Sequence, residues 1–259
     1  MVGGLELGVW SWFNRKVRKG LRKGRKGLSG ELPASQEVPI SSATIIILKT
    51  LIYKGLTKII CNLAIFAIME ERNLYLIAGC NGAGKTTASF TILPEILDCK
   101  EFVNADEIAK GLSPFQPEKV AFEAGRIMLH RINELLQQNE NFAFETTLST
   151  RSYKNKVLEA KAKKYSVTLL FFWLKNPELA KERVKTRVLE GGHNIPEDII
   201  ERRYVKGIRN LFEIYIPISD QVLIFDNSEG RHQLIAEKSS GDELSILDEQ
   251  KYNELKNYL

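Results

Sequence analysis

The sequence predicts an α/β chain: a three-layer sandwich with a mainly parallel central sheet, carried by residues 69–259. Three observations predict it. An apolar strand, Leu74 to Ala78, runs into a glycine-rich loop and then a helix. Two further apolar strands end in carboxylates, at Asp106 and Glu145. Later strands alternate with helices that carry proline in their first turns and glycine at their ends, the order expected of a sheet covered on both faces.

The first element sets the chemistry. "LIAGCNGAGKTT" places Gly79, Cys80, Asn81, Gly82, Ala83, Gly84, Lys85, Thr86 and Thr87 after the strand. This is the G-x-x-x-x-G-K-[ST] pattern of a phosphate-binding P-loop. Glycines let the backbone curl so that successive amides point at phosphate oxygens, and the following helix adds its positive end. Lys85 is expected to reach the β- and γ-phosphates, and Thr86 to offer its hydroxyl to Mg²⁺. Cys80, in an amide-rich loop at a helix N-terminus, is expected to be an accessible thiolate that ATP protects.

The second strand, in "KEFVNADEI", leads to Asn104 and Asp106. Ligands of open α/β sheets sit at the carboxyl ends of the strands, so Asp106 is placed to take the proton of an acceptor hydroxyl. A plain helix cap is the competing reading of Asp106. The third strand, "NFAFETTLS", brings Glu145, Thr146 and Thr147 together, with Ser149 and Arg151 after them. Glu145 reads as a carboxylate for a Mg²⁺ shell or for substrate, and the hydroxyls and Arg151 as contacts for a polar, phosphorylated acceptor. A helix is expected over 153–165 and strands over 166–174 and 220–228.

"NPELAKERVKTRVLEGGHNIPEDIIERRYVKGIRNL" reads as helix, charged loop, helix: a helical lid. Arg183 and Arg187, one turn apart, and Arg202 and Arg203 beyond the loop are candidates to neutralise a transferring phosphoryl group. His193 reads as an ordinary loop histidine. Residues 226–230 lie at a strand end where a purine could rest, "RHQLIAEK" reads as an edge hairpin strand, and "DEQKYNELKNYL" as a closing helix.

The charge is uneven. Residues 1–68 hold 11 Lys and Arg against 3 Asp and Glu, a net +8; residues 69–259 hold 26 against 29, a net −3. The sequence pI of about 9.0 therefore belongs to the N-terminal piece and is no argument for nucleic-acid binding. Cys61, Cys80 and Cys99 form no CxxC pair, which excludes a zinc ribbon and a disulfide framework and fits a reducing, cytoplasmic setting. Residues 1–68 read as a poorly structured basic extension, dispensable to a domain that starts at Met69. A weak membrane-surface contact of residues 14–69 is the competing reading. The longest uncharged run, Ile59 to Met69, is too short to span a bilayer.

"LIAGCNGAGKTT", "FVNADEIAKGLSP", "FAFETTLS" and "GGHNIPEDIIERRY", in that order over about 190 residues, resemble the zeta-toxin family of P-loop kinases in its compact bacterial form. The resemblance implies a P-loop kinase fold and transfer of the γ-phosphoryl of ATP, with Mg²⁺, to the 3′-hydroxyl of UDP-N-acetylglucosamine. It matches Asp106 to the general base, Glu145 and Thr147 to substrate-contacting positions, Lys85 to the phosphate-binding lysine, and arginines of the 183–203 region to a phosphate clamp. Cys80 departs from the family's usual proline, and Ser149 stands where the toxins carry arginine. Three alternatives stay open: a kinase of another hydroxylated molecule, an NTPase, and a toxin acting mainly through a partner antitoxin.

Overall fold

The computed structural model describes residues 72–192 and 194–259. The readings of residues 1–68, of Met69 and of His193 lie outside the described residues.

The elements run in the order β1 (Asn73–Gly79), α1 (Lys85–Glu95), β2 (Glu101–Val103), α2 (Ala105–Leu112), α3 (Ala121–Gln138), β3 (Phe142–Thr146), α4 (Tyr153–Ala162), β4 (Ser166–Trp173), α5 (Pro177–Leu189), α6 (Glu197–Asn210), β5 (Gln221–Asp226), β6 (Gln233–Lys238), β7 (Ser245–Ile246) and α7 (Glu249–Lys256). They build one seven-stranded sheet in the order β2-β3-β1-β4-β5-β6-β7. The first five strands in that order are parallel; β6 and β7 are antiparallel.

β1, β4 and β5 read as near-continuous apolar runs because helices cover both of their faces. Leu76, Phe144, Leu169, Leu170, Phe172, Ile224 and Phe225 are fully buried. Each contributes about 1.5–3 kcal/mol through removal of its side chain from water. Local signals place the helices. The Asn176 side chain accepts the Leu179 amide at 2.9 Å, and Pro177 supplies the first turn of α5. Asn104 accepts the amides of Asp106 and Glu107 and so caps α2.

Two elements differ from the sequence expectation. α3, eighteen residues long, has no counterpart in the sequence reading, though Ala124, Met128, Ile132, Leu135 and Leu136 form its buried stripe at helical spacing. β6 is not an edge strand: it pairs with β5 on one side and with the two-residue β7 on the other.

α6 is tied to the sheet through polar contacts inside the core. The Trp173 indole donates to the Tyr204 hydroxyl at 3.0 Å, and that hydroxyl donates to the Leu174 carbonyl at 2.5 Å. A π-helical turn, Leu211–Tyr215, follows α6 directly. Among the described residues, no helix is long and apolar enough to cross a membrane.

Candidate active site

The carboxyl ends of β1, β2 and β3 open into a cleft of about 390 Å³. The P-loop forms one wall. Gly79 has φ 143°, and a Cβ there would lie 2.2 Å from the Phe172 carbonyl oxygen of β4. Gly84, at φ 82°, caps α1 in the left-handed region, where only glycine is at ease. The loop is braced from the far side: the Asn227 side chain donates to the Ala83 carbonyl at 2.8 Å.

Lys85 and Glu145 form the polar centre of the cleft. The Lys85 ammonium, 6% exposed, donates to the Cys80 carbonyl at 2.9 Å and stands 3.5 Å from Glu145. Thr86 Oγ1 and Asn104 Nδ2 each donate to Glu145 Oε2 at 2.8 Å. Parallel registry explains the meeting: Ile77 of β1 is opposite Glu145, so the carboxylate rises from the strand beside the one that feeds the loop. Glu145 therefore faces the lysine and threonine of the loop and lines the cleft. Thr86 and Glu145 present hard oxygen donors beside the phosphate loop. This donor set suits Mg²⁺, which takes one or two protein oxygens and completes its shell with water and phosphate.

Asp106 is exposed and lines the cleft, and Asn104 rather than Asp106 is the helix cap. The Asp106 carboxylate is thus not used in starting α2. Opposite it stands Arg203, whose Nη1 donates to Asn81 Oδ1 at 3.5 Å. Burial pushes the Arg203 pKa down, and the charge of Asp106 opposes that shift.

The other arginines divide. Arg183 lines the cleft and donates to the carbonyls of Asn227 (2.8 Å) and Ser228 (3.1 Å), bridging α5 to the loop after β5. Arg187 lines the cleft and also a hollow of about 430 Å³ between the α5–α6 loop and α2. Arg202 is exposed and does not line the cleft. Arg151 is likewise turned to solvent: it pairs with Glu213 at 3.2 Å, with both side chains at least half exposed. Arg151 and Arg202 thus lie apart from the residues that line the cleft. The partner of Arg151 lies 62 residues further along the chain.

The 146–150 loop holds its own shape. Thr146 lines the cleft, but its hydroxyl accepts the Leu148 amide at 3.0 Å. The hydroxyls of Thr147 and Ser149 lie 2.8 Å apart. Cys80 overturns the accessible-thiolate expectation. Its side chain is buried beneath the loop, among Phe171, Trp173, Tyr204 and Ile208. Burial raises its pKa to about 11, outweighing the opposing pull of Lys85 and Arg183. Residues 226–230, expected to rest a purine, are engaged with the P-loop and α5 through Asn227 and Ser228. The sequence reading gives Asn104, Met128 and Tyr153 no role in this region, and expects Asn227 beside a purine rather than on the P-loop. Only Asn104 had a usable signal, the N-x-x-E start of a capped helix.

The sequence profile of the family described as "Zeta toxin" matches residues 66–239. An uncharacterized protein of Haemophilus influenzae is 32% identical over 139 residues, which are 53% of this chain and 95% of that protein. Among solved structures, the complex of AvrRxo1-ORF1 with AvrRxo1-ORF2 and sulphate ions superposes with a TM-score of 0.58 at 16% identity. That alignment covers 71% of this chain and 63% of its match, so the chain spans just under two thirds of that relative's length. The PezAT toxin–antitoxin system of Streptococcus pneumoniae gives a TM-score of 0.50 at 18% identity, covering 86% of this chain and 97% of its match. At these identities the two structures speak for the fold. The family match extends from ahead of the phosphate loop through β6, so the chain belongs to the zeta toxin family of P-loop kinases.

Proposed function

We propose that this chain transfers the γ-phosphoryl group of ATP to a hydroxyl of a nucleotide sugar, with UDP-N-acetylglucosamine as the acceptor. The observation that carries the reading is the single cleft in which Lys85, Thr86 and Glu145 face Asp106 and Arg203. A structure of AvrRxo1-ORF1 with AvrRxo1-ORF2 contains ATP, which supports ATP as the donor here.

In this reading the loop amides and Lys85 hold the β- and γ-phosphates. Asp106 accepts the proton of the acceptor hydroxyl as its oxygen bonds to the γ-phosphorus. The bond to the β–γ bridging oxygen breaks, and ADP leaves with the electron pair. Arg203, Arg183 and Arg187 supply positive charge around the transferring group. Thr86 and Glu145 would hold Mg²⁺, which supplies further charge neutralisation on the phosphates. Thr147, beside Glu145, is the acceptor contact.

Residues 69–259 are the catalytic domain in this reading and residues 1–68 an extension to it. Cys80 and Cys99 are free thiols, in keeping with a cytoplasmic enzyme drawing on ATP and nucleotide sugars. The toxin–antitoxin pairing named for PezAT supports an antitoxin protein as partner.

The test is a screen of the protein with ATP and UDP-N-acetylglucosamine, other nucleotide sugars, free sugars or water, read by phosphorus NMR and by the mass gain of one phosphoryl group. Phosphorylated UDP-N-acetylglucosamine is the expected product. Transfer to another sugar alone would replace the acceptor, and release of phosphate to water alone would make the protein an NTPase.

A further inference from the structure

α6 lays three residues of one face against the P-loop and the 146–150 loop. Arg203 reaches Asn81 of the P-loop. One turn on, Gly207 lies against the backbone of the 146–150 loop: a Cβ there would sit 2.5 Å from the Thr147 carbonyl oxygen. Three residues further, Asn210, 5% exposed, donates from Nδ2 to the Leu148 carbonyl at 2.6 Å. The spacing 203, 207, 210 is one helical stripe, about 10 Å long.

What the stripe holds is a strained turn. Leu148 has φ 56°, in the left-handed region that a branched side chain avoids, and it is fully buried. Such a residue persists only where its surroundings over-determine it. Here those surroundings are the Thr146 hydroxyl on its amide, Asn210 on its carbonyl, and the core around its side chain. The turn's far end is held too: the Tyr215 hydroxyl donates to the Thr150 carbonyl at 3.3 Å. Tyr215 closes the π-helical turn that begins immediately after Asn210. A π-turn at this point widens the helix by one residue, a device often found beside functional sites.

The inverted turn has a chemical result. With Leu148 pointing into the core, Thr147 and Ser149 on either side face the cleft, and their hydroxyls meet at 2.8 Å. A turn without the left-handed residue would carry one of the two away.

We propose that Asn210, together with the bare backbone of Gly207, is a positioning pair: it fixes the Thr147–Ser149 hydroxyls for the acceptor and ties their placement to the helix that carries Arg203. This rests on the kinase reading above, in which the acceptor meets Thr147. Asn210 touches neither nucleotide nor acceptor and acts through the Leu148 carbonyl.

The experiment uses the full chain and two variants. Asn210→Leu keeps the number and branching of side-chain heavy atoms and removes the donor. Gly207→Ala adds only a methyl, and alanine is the better helix former, so any loss reports the displaced loop rather than a weakened helix. Amide hydrogen exchange of residues 147–151 is compared with that of the P-loop and of β4. The expected result in both variants is exchange faster by roughly tenfold at Leu148 and Ser149, the scale of one lost buried hydrogen bond, with P-loop and β4 amides unchanged. With UDP-N-acetylglucosamine as the probe acceptor, its KM rises roughly tenfold while the affinity for a fluorescent ATP analogue stays within twofold. Exchange that is unchanged at 147–151, or that rises equally through β4, overturns the proposal. So does an ATP affinity that falls in step with the acceptor KM. If the unsubstituted protein leaves UDP-N-acetylglucosamine untouched, the acceptor reading fails, and the exchange comparison alone decides the positioning claim.

Discussion

Cys80 sits inside a nucleotide-binding loop, yet its thiol is expected to be nearly inert. The perturbation is alkylation of the folded protein with iodoacetamide at pH 8. With the Cys80 pKa raised from 9.0 to about 11, its thiolate fraction falls from about one in ten to about one in a thousand, roughly a hundredfold loss. A more basic thiolate is also a better nucleophile. With a Brønsted slope of about 0.45, two pH units return roughly eightfold. Ionisation alone thus slows the reaction about twelvefold. The side chain is 6% exposed beneath the loop, so reagent access slows it further. The assay is a labelling time course in native buffer and in guanidinium, followed by digestion and mass spectrometry of the Cys80 peptide. Labelling at least tenfold slower in the native protein is expected, with or without ATP. A native rate equal to the unfolded one would refute the argument, as it would put the thiol on the phosphate side of the loop.

Asp106→Asn is expected to keep ATP binding and lower turnover by roughly 10²–10⁴-fold, the scale of a lost general base; loss of ATP binding with normal turnover of the bound fraction would move the base elsewhere. Arg151→Ala should leave catalysis unchanged and alter stability by no more than about 1 kcal/mol, because its pair with Glu213 is solvent-exposed. Stability should fall with alkali. Cys80 (9.0 to about 11), Cys99 (9.0 to about 12) and Tyr215 (10.0 to about 12) all have pKa values raised by burial, so their contribution is complete below pH 9 and is lost as pH climbs to 12. Thermal midpoints at pH 8, 10 and 11 would measure this; a flat profile would contradict it. Residues 69–259 alone should fold, retain activity and melt within roughly 2–4 °C of the full chain, whereas aggregation or a far lower midpoint would make residues 1–68 part of the fold.

The parts legible in the sequence are those with local causes. β1, the P-loop and α1 follow from an apolar run, glycines and a lysine in fixed spacing, and α5 from Asn176 and Pro177. The parts that escaped depend on distant partners or on the direction of one side chain. The rule that a helix N-terminus favours a thiolate concerns backbone amides; it does not say that the Cys80 Cβ points to Trp173 and Tyr204. Arg151 reads as a site cation in the sequence, and its pair with Glu213, far along the chain, is visible only in the fold. β7 has two exposed residues and no pattern, so only its pairing with Ala236 and Glu237 reveals it. α3 is a different case: its stripe from Ala124 to Leu136 is readable, but its polar face dilutes the signal.

The central place of β1 has a kinetic side. Leu74 pairs with Phe142 and with Val167, 68 and 93 positions later in the chain (142 less 74 and 167 less 74). Parallel pairings across such spans close large loops before contacts repay the entropy, and they form slowly. The phosphate loop hangs from the end of this strand, and Gly79 adopts its conformation against the Phe172 carbonyl of β4. The nucleotide-binding motif is therefore the earliest signature element of the described chain to be synthesised, yet its shape depends on strands made later. A nascent chain that has emerged through α1 carries the whole motif and no usable phosphate site; competence waits until β3 and β4 have closed on either side of β1.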